Sequence, residues 1–170
     1  MPLNPIDLHS VIVRHWGINQ LRPLQEPAMK AVLMGRDSLV VLPTGGGKSL
    51  CYQAPAVLRN STTVVISPLI SLMKDQVDSL LSCGIKALQL NSSQTNVERN
   101  SCIKEIKEGR VRLLFVSPER LVQTDLYQLL QEINVDTFAV DEAHCVSHWG
   151  HDFRPEYRQL SKLKELFPQA

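Results

Sequence analysis

Leu42-Pro43-Thr44-Gly45-Gly46-Gly47-Lys48-Ser49 is the stretch whose reading decides the fold. It joins a short apolar run, Ser38-Leu39-Val40-Val41-Leu42, to a helix-like segment over residues 49–59. Strand, loop and helix in that order are what a phosphate-binding loop requires. Consecutive glycines let the backbone turn its N–H groups inward without side-chain clash, which makes a nest for phosphate oxygens at a helix N-terminus. In such a loop Thr44, Gly45, Gly46 and Gly47 cradle the phosphates, Lys48 reaches the β- and γ-phosphates, and the Ser49 hydroxyl holds Mg²⁺. The usual pattern also has a glycine at the position that is Leu42 here. Taken alone, therefore, the stretch also reads as a glycine-rich turn that only redirects the chain.

A second stretch removes that alternative. Thr137-Phe138-Ala139-Val140-Asp141-Glu142-Ala143-His144 is an apolar strand that ends in two carboxylates. In nucleotide hydrolases with this loop, the aspartate at the strand end holds the metal and the next glutamate orients and deprotonates the attacking water. Unpaired carboxylates at the end of a buried strand are costly, so a cation or ligand is expected beside Asp141 and Glu142.

With 170 residues, 44% of them hydrophobic, the chain can bury the core of one domain. A formal net charge of +1 gives no global attraction to nucleic acid, so any DNA binding must come from a local surface. Cys51, Cys83, Cys102 and Cys145 are far apart and form no Cys-x-x-Cys pair, which indicates neither a zinc site nor a disulfide framework and fits a reducing compartment. No apolar run reaches the roughly 18 residues of a membrane helix, and the first residues, with acidic Asp7, do not read as a signal peptide.

Along the chain, Asn4-Pro5 opens a helix through His15 that Gly17 ends. Pro27 allows the next helix to begin no earlier than about Leu24. Residues 38–42 are expected as a strand, and Pro55 is expected to break or kink the helix after the loop. The β-branched run over residues 62–66 predicts a strand buried on both faces, as in a parallel sheet. Ser67-Pro68 is expected to start a helix carrying Leu69, Leu72, Met73, Val77, Leu80 and Leu81 at helical spacing. A strand over 86–90, a polar helix opened by the capping box Thr95-Asn96-Val97-Glu98, and a buried strand over 112–116 follow. Residues 118–133 read as mostly helical, 145–155 as irregular, and Tyr157, Leu160, Leu163, Leu166 and Phe167 mark one face of a last helix. Strand and helix alternate throughout, which specifies an α/β fold with a mostly parallel sheet.

Arg22-Pro23-Leu24-Gln25, the glycine loop, Ser67-Pro68-Leu69-Ile70-Ser71-Leu72-Met73-Lys74-Asp75-Gln76, Ser117-Pro118-Glu119-Arg120-Leu121 and Asp141-Glu142-Ala143-His144 stand in the order and spacing of a RecQ-type superfamily 2 DNA helicase, which the chain resembles over nearly its whole length. Trp149-Gly150-His151-Asp152-Phe153-Arg154-Pro155-Glu156-Tyr157 is similar to the aromatic-rich loop that sets RecQ enzymes apart, and that family tolerates an apolar residue at the Leu42 position. The resemblance implies a P-loop NTPase domain of RecA-like fold, with N-terminal helices and an adenine-recognition motif in residues 1–35 and an incomplete ATP-binding domain in 36–170. It implies ATP and Mg²⁺ as cofactors, with Lys48, Asp141, Glu142 and His144 catalytic and Ser49 and Asp141 at the metal.

Gln25 resembles the residue that reads the adenine edge, since an amide offers both donor and acceptor, and Arg22 the one that stacks on the base; a plain solvated glutamine is the other reading. Ser67, Pro68, Leu69, Lys74, Ser117 and Arg120 lie at strand ends followed by helix starts, which suits either DNA phosphates or simple capping. The resemblance favours single-stranded DNA for these residues. It gives Trp149 and Phe153 the role of stacking on bases, and Arg154 or His151 that of linking the loop to the acidic motif. His144 resembles the residue that couples the nucleotide site to DNA.

The implied activity is ATP-dependent 3′-to-5′ unwinding of DNA in repair and recombination, acting on single-stranded and duplex substrates. The implied place is the bacterial cytoplasm at the nucleoid, or the nucleus in a eukaryote. A non-enzymatic nucleotide- or DNA-binding module and an RNA-directed relative are the competing classes. The family's second lobe and its arginine finger are not in the sequence, so the 170 residues alone are expected to be inactive. In the family's fold two later strands flank the phosphate-loop strand. Residues 38–42 are therefore expected to form no ladder with 137–140, and the chain to be poorly soluble.

Overall fold

The run Thr62-Thr63-Val64-Val65-Ile66 forms strand β1 (Thr62–Ile66), every residue of it buried. Around it, in a computed structural model that describes residues 5–59, 61–147 and 154–170, lies one parallel sheet. Its other strands are β2 (Ala87–Leu90), β3 (Leu113–Val116) and β4 (Val135–Val140), and the order is β2-β3-β1-β4. The register is simple: Ile66 lies opposite both Val116 and Val140, and Val116 lies opposite Leu90. All four strands thus end at one rim.

Strand alternation divides the core in two. Val64, Ile66, Leu114 and Val116 face a cluster with Ile106, Leu126, Leu130 and Tyr157, whereas Val65, Leu113 and Phe115 face Met73, Val77 and Leu80. The first cluster draws on helices α5 (Asn96–Lys107), α6 (Pro118–Leu121), α7 (Thr124–Glu132) and α8 (Leu163–Leu166); the second draws on α4 (Ile70–Ser82). Each fully buried aliphatic side chain contributes about 1.5–3 kcal/mol by leaving water, so the central strands carry much of the stability. A third cluster of Leu8, Ile12, Met29, Leu50 and Ala54 packs α1 (Pro5–Trp16) and α2 (Gln25–Leu33) onto α3 (Leu50–Leu58), the helix that leaves the glycine loop.

The α/β architecture expected from strand–helix alternation is present, and Thr95 and Glu98 form the expected capping box. Four local expectations are corrected. Residues 38–42 are not a strand: no described strand pairs with them, and an extended segment becomes one only through a partner. Leu39 and Val41 stand 81% and 79% exposed. Pro55 does not break α3, which runs on until the Arg59 amide bonds to the Pro55 carbonyl. Helix α4 starts at Ile70 rather than Pro68, and Leu69, Leu72 and Leu81 face outward while Met73, Val77 and Leu80 are buried. The last helix is a 3₁₀ stretch, Pro155–Lys162, before the single turn of α8.

No ladder joins 38–42 to β4, as expected, and β4 keeps one edge unpaired among the described residues. Exposed apolar chain and an open strand edge each promote association. Leu39→Lys combined with Val41→Lys should therefore raise the soluble fraction of the 170-residue chain after centrifugation and leave its far-UV circular dichroism unchanged. An unaltered soluble fraction would show that this segment does not govern association.

Candidate nucleotide-binding site

The glycine loop turns tightly on itself. Gly45 and Gly47 have φ of 73° and 79°, a region that side chains rarely enter, and a Cβ on Gly46 would come within 2.8 Å of the Pro43 carbonyl oxygen. The Gly46 amide donates to Pro43 O at 2.9 Å, so that N–H points into the turn rather than into a nest. Lys48 Nζ donates to Leu42 O at 3.3 Å and Pro43 O at 3.5 Å, resting on its own loop.

Arg22 and Gln25 come to this loop from the start of α2. The Arg22 guanidinium donates to Gly45 O, and Gln25 Nε2 donates to Gly47 O at 3.0 Å while its Oε1 accepts from the Arg22 amide at 2.8 Å. Gln25 is only 4% exposed, which excludes the solvated-glutamine reading. Leu24, just before it, has φ 70°. That left-handed conformation costs a non-glycine residue roughly 1–2 kcal/mol and is held by the packing of α2 on α3.

Asp141 and Glu142 sit at the rim. The Asp141 amide continues the sheet by donating to Ile66 O at 2.9 Å, and Asp141 Oδ1 accepts from the Glu142 amide at 3.0 Å. Glu142, at φ 50°, is the other described non-glycine residue with positive φ. Both backbone strains therefore fall in the site, where such conformations concentrate. Glu142 Oε2 lies 3.3 Å from His144 Nδ1. Burial pushes the Asp141 carboxyl above its ordinary value, with the Glu142 charge adding to the effect; the bond from the Glu142 amide and the charges of Lys48 and His144 oppose it. The structure thus brings Lys48 within electrostatic reach of Asp141.

Ser49 precedes α3, and its carbonyl accepts from the Gln53 amide at 3.0 Å. A hydroxyl and a carboxylate are the oxygen ligands Mg²⁺ takes when phosphates and water fill its other positions. Among the described residues no group of three or more His, Cys, Asp or Glu competes as a metal site. Ser49 and Asp141 therefore fit Mg²⁺, which supplies charge neutralisation for phosphates when bound.

The residues expected to meet DNA are divided. Lys74 is exposed on α4 and Leu69 is 42% exposed before it, whereas Ser67 and Pro68 are buried, with the Ser67 amide donating to Val116 O at 3.1 Å. Ser117 and Arg120 do not present themselves to a phosphate. The buried Ser117 hydroxyl accepts from the Arg120 amide at 3.3 Å and caps α6. The Arg120 side chain, 2% exposed, donates to Asp125 through both nitrogens at 2.7 and 2.6 Å and to Gln123 at 2.6 Å. A buried guanidinium needs such a carboxylate, and Asp125 supplies it five residues on. That pairing holds the Asp125 carboxyl below its ordinary value.

Trp149, His151 and Phe153 lie outside the described residues. Arg154 bonds not to the acidic motif but to Glu119 at 3.4 Å. The link to the acidic motif is made instead by Tyr157, whose hydroxyl donates to Asp141 O at 3.0 Å. Sequence reasoning placed Tyr157 at the end of the aromatic-rich loop and on a helix face, with no role toward Asp141. It also missed Gln53, whose Nε2 donates to Gln76 Oε1 at 2.7 Å and ties α3 to α4.

A phosphate-loop lysine, a serine hydroxyl and two strand-end carboxylates on the C-terminal rim of a parallel sheet define a P-loop nucleotide-binding domain. The sequence profile of DEAD/DEAH box helicases matches residues 22–170, and the chain belongs to that family. It is 53% identical to the ATP-dependent DNA helicase RecQ of Pasteurella multocida, over 96% of this chain and 25% of that protein. It is 51% identical to the RecQ helicase of Haemophilus influenzae, over 95% and 26%. The chain spans about a quarter of the length of these curated relatives. Its fold is similar to that of a hypothetical ATP-dependent RNA helicase from Sulfolobus tokodaii, with a TM-score of 0.68 at 17% identity over 98% of this chain and 47% of that one.

Because its raised carboxyl pKa means that the folded state binds the Asp141 proton more tightly than the unfolded state does, this group favours folding at acid pH. Its contribution falls as pH rises from the ordinary value of 3.8 through the raised one and stays lower above both. Asp141→Asn should raise the melting temperature of the nucleotide- and metal-free protein at pH 7, and raise it less at pH 4. A lowered melting temperature at pH 7 would contradict the assignment.

Proposed function

We propose that this chain forms the ATP-binding part of a RecQ-type helicase, an enzyme that couples ATP hydrolysis to 3′-to-5′ unwinding of DNA. The observation that supports the reading is the electrostatic reach of Lys48, in the glycine loop, to Asp141 beside Glu142 at the sheet rim, in a chain about half identical to RecQ helicases over nearly its whole length. In this reading Mg-ATP is held by the glycine loop, Lys48, Ser49 and Asp141, and the adenine is read by Gln25 with Arg22 against the base. Glu142 positions and deprotonates the attacking water. His144, whose Nδ1 lies 3.3 Å from Glu142 Oε2, is in this reading the residue that relays DNA occupancy to that base.

Single-stranded DNA is the substrate that fits the exposed residues. Lys74 supplies a positive contact for the backbone, and Leu69 and the aromatic loop supply apolar and stacking surfaces. Trp149, His151, Phe153 and Arg154 form the proposed sensor between DNA and the acidic motif. Ser67, Pro68, Ser117 and Arg120 act from beneath, by shaping the backbone at the rim. The activity belongs with DNA repair and recombination at the bacterial nucleoid, or in the nucleus of a eukaryote. No described helix is long and apolar enough to cross a membrane.

Lys48→Ala should abolish nucleotide binding in a fluorescence titration with an ATP analogue. Glu142→Gln should keep binding and stop hydrolysis in the protein that carries this chain. Equal affinity in the Lys48 variant would remove the phosphate-loop assignment, and binding with no turnover in the unaltered protein would leave a nucleotide-binding module. Trp149→Ala and Phe153→Ala should each remove most of the stimulation of ATPase by single-stranded DNA while leaving ATP affinity intact. Stimulation that survives both changes would make the loop purely structural, and stronger stimulation by RNA would assign the chain to RNA.

A further inference from the structure

Tyr52 lies in the first turn of α3, and its amide donates to the Ser49 carbonyl at 3.3 Å. Its ring packs into the cluster that contains Val65, Met73 and Ala139. Ala139 and Asp141 stand two apart on the strand that ends at the rim, and alternation sends them to one face. Tyr52 therefore lies on the side of the sheet that Asp141 faces, three residues after Ser49, which stands at the N-cap position of the helix. The hydroxyl at the end of the ring is shut off from solvent and has no hydrogen-bond partner. The Ser49 side chain lies near enough to act on the phenol as a weak hydrogen-bonding neighbour, yet the contact falls short of hydrogen-bond geometry, so the hydroxyl has no full partner. Burial and the Asp141 charge both keep this phenol protonated, so it is a donor.

A buried hydroxyl without a partner costs the fold free energy, unless another state of the site gives it one. We propose that Tyr52 is a positioning residue for the metal-holding pair: when Mg-ATP occupies the site, its hydroxyl donates into the Ser49–Asp141 pair and fixes the carboxylate's orientation. This rests on the nucleotide-binding reading above. Asp141 Oδ1 already accepts from the Glu142 amide, and a second donor both favours the charged form and sets the plane of the carboxylate. A phenol suits that role because it is neutral. It can hold the carboxylate without competing for it with the cation, as an ammonium would. Tyr157 holds the Asp141 backbone from the other side of the sheet, through the Asp141 carbonyl.

Tyr52→Phe, made in the protein that carries this chain, tests the proposal because it removes only the oxygen. Three quantities are read: the melting temperature without nucleotide, and the Kd for a fluorescent ATP analogue with Mg²⁺ and with EDTA. The expected result is a Kd weakened about ten- to hundredfold with Mg²⁺, the size of one hydrogen bond to a charged partner. The Kd in EDTA should be unchanged and the melting temperature equal or higher. An unchanged Kd with Mg²⁺, an equal weakening in EDTA, or a lowered melting temperature would each overturn the proposal. Failure of the unaltered protein to bind the analogue would overturn the nucleotide-binding reading itself, and this proposal with it.

Discussion

The parallel pairing of β1 with β4 is the constraint on which the site depends. Val64, Val65 and Ile66 are paired residue for residue with Phe138, Ala139 and Val140, and the bond from Asp141 N–H to Ile66 O carries the ladder one residue beyond the apolar strand. The first carboxylate is thereby fixed in height relative to α3, whose Ala56 and Tyr52 pack into the cluster beneath Val65 and Ala139. A slip of one residue would turn Asp141 to the other face and exchange every side chain of β4 between the two cores. Hydrophobic burial on both faces of β1 thus sets the register, and the register sets the chemistry.

The rim is where the fold concentrates its unfavourable terms. Leu24 and Glu142 hold left-handed backbone, Asp141 is buried enough to resist ionisation, and the Tyr52 hydroxyl has no partner. These costs are small beside the burial of the central strands, which is why the sheet can carry them. They also fall where a bound polyanion and its cation would relieve them. Arg120 is the counter-example. Its two terminal nitrogens are engaged by Asp125 and Gln123 of the same chain, and it therefore reads as part of the scaffold.

Much of this was legible in the sequence where local chemistry and tertiary structure agree. The β-branched run of β1, the Thr95–Glu98 capping box and the strand ending in Asp141 each carry their own signal. What escaped depends on partners distant in the chain or on backbone conformation. Residues 38–42 have the composition of a strand but no described neighbour to bond with. Leu72 and Leu81 keep helical spacing with Met73 and Val77, yet they lie off the stripe that meets the sheet. Ser117 and Arg120 stand where a phosphate contact is plausible, and only the tertiary environment reveals that capping and an internal ion pair engage them.

The central claim is that the glycine loop and the acidic strand end form one site. Amide hydrogen exchange tests it most directly, because it reports both segments in one experiment without any substitution. On adding Mg²⁺ and a non-hydrolysable ATP analogue, exchange should slow together in residues 44–51 and 141–145, and EDTA should release the second segment preferentially. Slowing in the loop with no change at 141–145 under either condition would contradict the account.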